Sequence, residues 1–275
     1  MPAIRTILVA TDLKPRSAAV PERGAALARA LGARMILVHA TPDRGLRLRN
    51  WRAQDPDTIR DTLSQMAARY PDIAVETFMG TGPVDQVISD LARAESADLV
   101  VLGLHRVRTV LDTLRLTTME RIALAVFCPV LVAHSRDIAP YRRVLGAITF
   151  SPASAQAMAA AARIAPAAEF HAVHALRLPL KDKLPMSEAE NGTAMTTSVL
   201  LRDAFMRLDG LPQNLETPEI VPGGVHEVLQ FRINELKPDL IVIGSHSGRS
   251  HDQLGNYARD LMRAPPADLL IAKPD

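Results

Sequence analysis

The segment Ala97-Asp98-Leu99-Val100-Val101-Leu102-Gly103-Leu104-His105 returns 141 residues later (97 to 238) as Pro238-Asp239-Leu240-Ile241-Val242-Ile243-Gly244-Ser245-His246. A long-period repeat constrains a chain more than composition does, because both copies must make the same local structure. Three further pieces recur in the same order: Thr6 to Thr11 with Val144 to Thr149, Val38-His39-Ala40 with Val173-His174-Ala175, and Val130-Leu131-Val132-Ala133 with Leu269-Leu270-Ile271-Ala272. The 275 residues thus read as two copies of one fold, each near the commonest domain size of about 100–150 residues. The boundary falls in Arg136-Asp137-Ile138-Ala139-Pro140, a short segment with Pro and charge between apolar strands. This gives domains 1–137 and 138–275.

Within each half the apolar runs are continuous and rich in β-branched residues, as in Ile7-Leu8-Val9, Met35 to Val38 and Leu99 to Leu102. Such runs suit strands covered on both faces of a parallel sheet. Between them lie helical periods. Ile59, Leu63, Met66 and Tyr70 make one stripe, and Val84, Val87, Ile88 and Leu91 another. In the second half Leu201, Phe205 and Leu208, then Val225, Val228, Leu229 and Ile233, repeat those two helices. Ser17 and Ser151 stand where the first helix of each half would be capped, the second followed by Pro152. Gly80-Thr81-Gly82-Pro83 reads as a turn into a helix. The expected fold class is α/β: two tandem doubly wound domains, each a five-stranded mostly parallel sheet flanked by helices. Such sheets bind ligands beyond the carboxyl ends of their strands, so the residues to inspect are those just after each apolar run.

Composition excludes other classes. The net charge is +2, and 27 of the 32 basic residues are Arg. Residues 1–137 carry 18 basic and 15 acidic side chains and residues 138–275 carry 14 and 15, or +3 and −1. Neither half has the field of a nucleic-acid binder, and the ten aromatics (6 Phe, 3 Tyr, 1 Trp) offer few stacking platforms. The single Cys128 excludes a disulfide framework and reads as a small buried hydrophobe. No apolar run approaches the roughly 20 residues of a membrane span. A soluble cytoplasmic protein without a membrane partner is expected. His39, His105, His174 and His246 follow strands, with no Cys or carboxylate at ligand spacing, so no metal site is expected. The Gly-x-Ser-x-Gly, His-Glu-x-x-His and phosphate-loop motifs are absent, and no catalytic residue is assigned.

A strand ending in Asp12, a strand ending Val38-His39, a strand ending Asp98-Leu-Val-Val-Leu-Gly103-x-His105 and a final Pro129-Val-Leu-Val strand together resemble the universal stress protein family, in its tandem form, over essentially the whole chain. The resemblance implies the adenine nucleotide alpha hydrolase-like fold and a regulatory or protective, non-enzymatic role in the stress response. It also implies an optional ATP site whose contacts map to Ala10, Thr11, Asp12 and Ala40. The family's glycine signature maps to Gly103, His105, Arg106, Thr117 and Thr118. Here Arg106 and Leu116 replace two glycines while Thr117 keeps the hydroxyl position. Arg106 either blocks the phosphate path or substitutes a guanidinium fork for backbone N–H donors. In the second half Ser247 takes the second glycine position, Gly255 comes about two residues early and the acid is missing, so no ATP is expected there, and an ATP-binding switch in the first half is the alternative to a protein whose nucleotide motifs have degenerated. By resemblance the last strands of the two halves pair within the chain. A homodimer and an unidentified protein partner stay open.

Overall fold

The computed structural model of the chain describes residues 3–41, 55–104, 116–177, 188–245 and 254–274. The chain divides into two compact units, one made of Met1–Pro140 with Met262–Asp268, the other of Tyr141–Leu261 with Leu269–Asp275. In the first unit β1 (Thr6–Ala10), β2 (Arg34–Thr41), β3 (Val75–Thr81), β4 (Leu99–Gly103) and β5 (Val130–Ala133) lie in the order β3-β2-β1-β4-β5. All four pairings are parallel. A single 3-10 turn (Pro15–Ser17) leads into α1 (Ala19–Leu31), and α2 (Pro56–Ala67), α3 (Val84–Ala94) and α4 (Thr118–Ala125) make the later crossovers.

The second unit repeats the scheme. Strands β6 (Arg143–Ala147), β7 (Glu169–Leu176), β8 (Glu219–Pro222), β9 (Leu240–Gly244) and β10 (Asp268–Ala272) run in the order β8-β7-β6-β9-β10. Its helices are α5 (Pro152–Ile164), α6 (Glu188–Phe205), α7 (Val225–Leu236) and α8 (Asn256–Arg263). This is the doubly wound architecture that the continuous apolar runs required. Ile7, Leu8 and Val9 of β1 are fully buried, as are Val100 and Val101 of β4.

The repeated Asp in front of β4 and β9 has a structural reason. Asp98 Oδ2 accepts the backbone N–H groups of Arg5 and Thr6 (2.8 and 3.0 Å), and Asp239 accepts those of Arg142 and Arg143 (2.8 and 3.1 Å). Each carboxylate pins the start of the central strand to the strand beside it. The strand register also corrects the pairing of the opening runs by one residue. Ala10 pairs with Val38 and Ala147 with Val173, so Ile148 takes the place of Thr11, and Thr149 that of Asp12. Leu13 and Phe150, both at positive φ (58° and 55°), mark the same offset of 137 (13 to 150).

Ser151 caps α5 as expected, accepting from Ser154 N–H at 3.3 Å with Pro152 at the first helical position. Ser17 does not cap α1, whose N-cap is Ala18; its hydroxyl donates to Asp12 instead. The expected stripe on α6 holds at Phe205, 1% exposed, but Leu201 and Leu208 are 49% and 44% exposed, Leu208 lying past the helix end. Cys128 is half-buried. Among the described residues no helix is long and apolar enough to cross a membrane.

A buried ion pair ties Met262–Asp268 into the first unit. Arg23, on the inner face of α1, lies 3.0 Å from Asp268 through Nε and donates to the carbonyls of Ala139 (2.9 Å) and Asp137 (2.5 Å). Asp268 Oδ1 accepts the N–H groups of His134 and Ser135, each at 2.7 Å.

Burial pushes the Tyr70 hydroxyl up to about 12, with the Glu22 carboxylate adding to it, while burial drives Tyr257 higher still. A raised folded-state value means this stability is complete below about pH 10, the unfolded value, and is lost as pH climbs through about 12. Tyrosinate absorbance is therefore expected to show two of the three tyrosines titrating late. In Tyr70→Phe one late step should vanish and the alkaline fall in stability should become shallower. An unchanged titration curve would contradict the assignment.

Candidate functional site

Because β1 leads toward β2 and β3 while β4 returns to its other side, a cleft opens where the strand order reverses. A cavity of about 230 Å³ sits there. Its floor is the ends of three strands: Ala10, Thr11 and Asp12 after β1, Val38, His39 and Ala40 of β2, and Leu102, Gly103 and Leu104 at β4. Its walls are Ser17 and Val20 on one side, Val84 and Ile88 of α3 on another, and Thr118, Met119 and Ile122 of α4. Six of the nine residues singled out from the sequence thus converge: Ala10, Thr11, Asp12, Ala40, Gly103 and Thr118. His105 and Arg106 lie outside the described residues, as does the Arg-rich segment with Arg44, Arg47, Arg49 and Arg52.

Asp12 is exposed at the rim and held in place. Its Oδ1 accepts the N–H of Lys14 at 3.0 Å and the hydroxyl of Ser17 at 2.5 Å. His39 Nδ1 lies 2.8 Å from the Thr11 carbonyl. A carbonyl only accepts, so Nδ1 carries the proton and Nε2 of the neutral ring is an acceptor. His174 repeats this contact with the Ile148 carbonyl at 2.9 Å, which makes the contact a property of the strand end in both halves. At Gly103 an added Cβ would lie 2.8 Å from Val20 Cγ2, so glycine there lets α1 close over the strand.

Thr117 is placed beside the cavity and its side chain is committed locally. Its hydroxyl accepts from Glu120 N–H at 3.2 Å and its own N–H donates to Glu120 Oε2 at 2.5 Å, a capping box at the start of α4. Glu120 is fully buried and lies 3.3 Å from Arg263 Nε. The positive end of the α4 dipole is therefore already answered by a carboxylate, which weakens it as a phosphate cradle. The cavity combines apolar lining from Val38, Ile88 and Met119 with the Asp12 carboxylate at the rim and the strand ends at Ala40 and Gly103.

Sequence reasoning passed over Ser17, taken for a helix cap, and His39, taken as structural only. It also missed the part α3 takes, although the stripe Val84, Val87, Ile88 carried that signal. Among the described residues no three His, Cys, Asp or Glu side chains come together as a metal site.

In the second unit helix α5 packs closely on the corresponding strand end. A Cβ on Gly244 would stand 2.9 Å from the carbonyl carbon and Cβ of Ala153 and 3.0 Å from Ser154 N. Here it is the backbone of the first turn of α5 that abuts the strand. The reason is compositional: α5 presents Ala153, Ala157, Ala160 and Ala161 inward, where α1 carries Val20 and Arg23. Thr149 replaces the acid and is engaged by Ser151 and Ser154.

The fold and the cleft together define a tandem α/β protein of the adenine nucleotide alpha hydrolase-like class. Residues 3–134 and 140–273 each match the universal stress protein family. Universal stress protein A of Escherichia coli K12 is 28% identical over 114 residues, covering 38% of this chain and 78% of that protein. Among solved structures, a functionally unknown protein from Pseudomonas aeruginosa PAO1 superposes with a TM-score of 0.70 at 20% identity, over 99% of this chain and 94% of that one. A universal stress protein from Archaeoglobus fulgidus DSM 4304 superposes with a TM-score of 0.67 at 17% identity, over 98% and 96%. The chain belongs to the universal stress protein family, with one family domain in each half.

Proposed function

We propose that the protein is a cytoplasmic regulatory protein of the stress response that works by binding rather than by catalysis. In this reading the first half (residues 1–137) takes an adenine nucleotide and the second (138–275) takes none. The observation that carries it is the convergence of Ala10, Asp12, Ala40 and Gly103 on one cavity at the switch point. Ala40 and Gly103 offer backbone to the nucleoside, Asp12 accepts from a ribose or base donor, and Thr118 lies at the far wall. The reading for the second half is supported by the α5 backbone against Gly244 and by the loss of the acid at Thr149.

Asp12→Ala is expected to weaken ATP binding about tenfold, the worth of one hydrogen bond to a charged group, with little change in the unfolding midpoint. Titration calorimetry with the full chain, beside a thermal-shift series with ATP, checks this. ATP should be recovered intact after incubation. Steady phosphate or pyrophosphate release would sink the non-catalytic reading, and equal ATP affinity in Asp12→Ala would sink the site.

The sequence resemblance further supports pairing of the two halves through their last strands, which removes the need of the 29.9 kDa chain for a second copy. Light scattering at twice that mass would instead favour the homodimer.

A further inference from the structure

The candidate cavity is small. At about 230 Å³ it falls below the roughly 300–1,000 Å³ of sites that enclose a whole drug-sized ligand. Any charged tail on a nucleoside seated there must leave it. The wall formed by Ser17, Val20, Gly103 and Leu104 is shared with a second, larger groove of about 960 Å³ in the same compact unit. That groove carries positive charge from Arg136 and Arg263, with His134 beside them.

The acids near it are largely committed. Glu22 on its border pairs with Arg69, and the buried Glu120 is answered by Arg263. The Asp137 carboxylate accepts the N–H of Ala139. Arg136 is exposed and makes no ion pair among the described residues. Glu22 and Glu120 are thus each answered by an arginine, Arg136 lines the groove without an acid partner among the described residues, and no Lys or Arg among the described residues lines the adjoining cavity. Meanwhile Glu120 occupies the cap of α4, where an anion would otherwise be drawn.

Resting on the nucleotide reading above, we propose that this groove is an anion subsite: Arg136, with Arg263 beside it, holds the phosphate chain of a nucleotide whose nucleoside lies in the first cavity. The phosphates run past Ser17 and Gly103 toward residues 134–136 instead of settling on the first turn of α4. Arginine suits this role because its planar fork donates to two phosphate oxygens at once.

The test measures adenosine, ATP and inorganic tripolyphosphate separately by titration calorimetry at fixed ionic strength, on the full chain and on Arg136→Glu. Arg136 is exposed, so the variant should fold, and circular dichroism confirms that it does. ATP is expected to bind at least tenfold more tightly than adenosine, and Arg136→Glu to erase about that factor for ATP while leaving adenosine unchanged. Tripolyphosphate should bind the unaltered chain and fail to bind the variant. If adenosine and ATP both fail to bind but tripolyphosphate binds and is lost in Arg136→Glu, the nucleotide reading falls and the anion subsite stands. If the ATP-to-adenosine ratio is the same in both proteins, or if tripolyphosphate does not bind at all, the subsite is refuted.

Discussion

Arg23→Ala is expected to destabilise the protein by about 3–5 kcal/mol, the cost of leaving one member of a buried ion pair alone. The side chains of Arg23 and Asp268 are 3% and 0% exposed. Truncating Arg23 takes this cation away from the buried Asp268 carboxylate, whose Oδ1 keeps the N–H groups of His134 and Ser135, and removes the donors of the Asp137 and Ala139 carbonyls. Urea unfolding at neutral pH measures the loss. A companion variant separates charge from packing: Arg23→Met with Asp268→Asn keeps the volume and an acceptor for the two N–H groups while removing both charges. It should recover most of the lost stability, since matched neutral replacement of a buried pair is often close to neutral. A loss below about 1 kcal/mol in Arg23→Ala, the range of solvent-exposed pairs, would mean that the pair is hydrated rather than buried.

That pair also marks a limit of sequence reading. The repeat, the strand runs and the order of the crossovers were legible because each is a local pattern: β-branched runs for buried parallel strands, then apolar stripes at helical spacing. Arg23 and Asp268 are 245 positions apart (23 to 268) and lie in different copies of the repeat. Nothing local announces that Met262–Asp268 packs into the first unit. Side-chain hydrogen bonds were similarly hidden. Ser17 and Ser151 look alike as helix caps, but the chain before α1 makes an extra 3-10 turn that swings Ser17 onto Asp12. Thr117 could be read as a ligand-binding hydroxyl, but Glu120 three residues on completes a capping box that engages it. That box was visible as Thr-x-x-Glu and outranks the family's motif as a local force.

The candidate site was legible where its residues follow strands directly, and opaque where helices complete it. Ala10, Asp12, Ala40 and Gly103 sit at carboxyl ends, where any doubly wound sheet presents its ligand face. The contributions of Ile88, Met119 and Ile122 depend on how far α3 and α4 lean over those ends, a tertiary matter that periodicity does not encode. The one-residue shift that brings Thr149 to the place of Asp12 has the same origin. Thr11 and Thr149 close similar apolar runs in the sequence, while the hydrogen-bonded register depends on the neighbouring strand.

The contrast between the two glycines at the ends of β4 and β9 gives the second large effect. Gly244→Val is expected to destabilise the second unit by about 3 kcal/mol, the upper end of overpacking costs. Its Cβ would press on backbone atoms of Ala153 and Ser154 at 2.9–3.0 Å, and a helix backbone can relieve that only by moving as a body. Gly103→Ala meets just the Cγ2 of Val20 at 2.8 Å, and a rotation of that side chain relieves it, so about 1 kcal/mol or less should be lost. The rotated Val20 and the new methyl both enter the cavity, however, so ligand affinity should fall while the fold holds. Thermal unfolding of both variants, with and without ATP, tests the pair. If Gly244→Val is as mild as Gly103→Ala, α5 does not abut the strand, and the argument that the second half excludes a ligand loses its steric basis. If Gly103→Ala leaves ligand-induced stabilisation intact, the cavity beside β4 is not where the ligand sits.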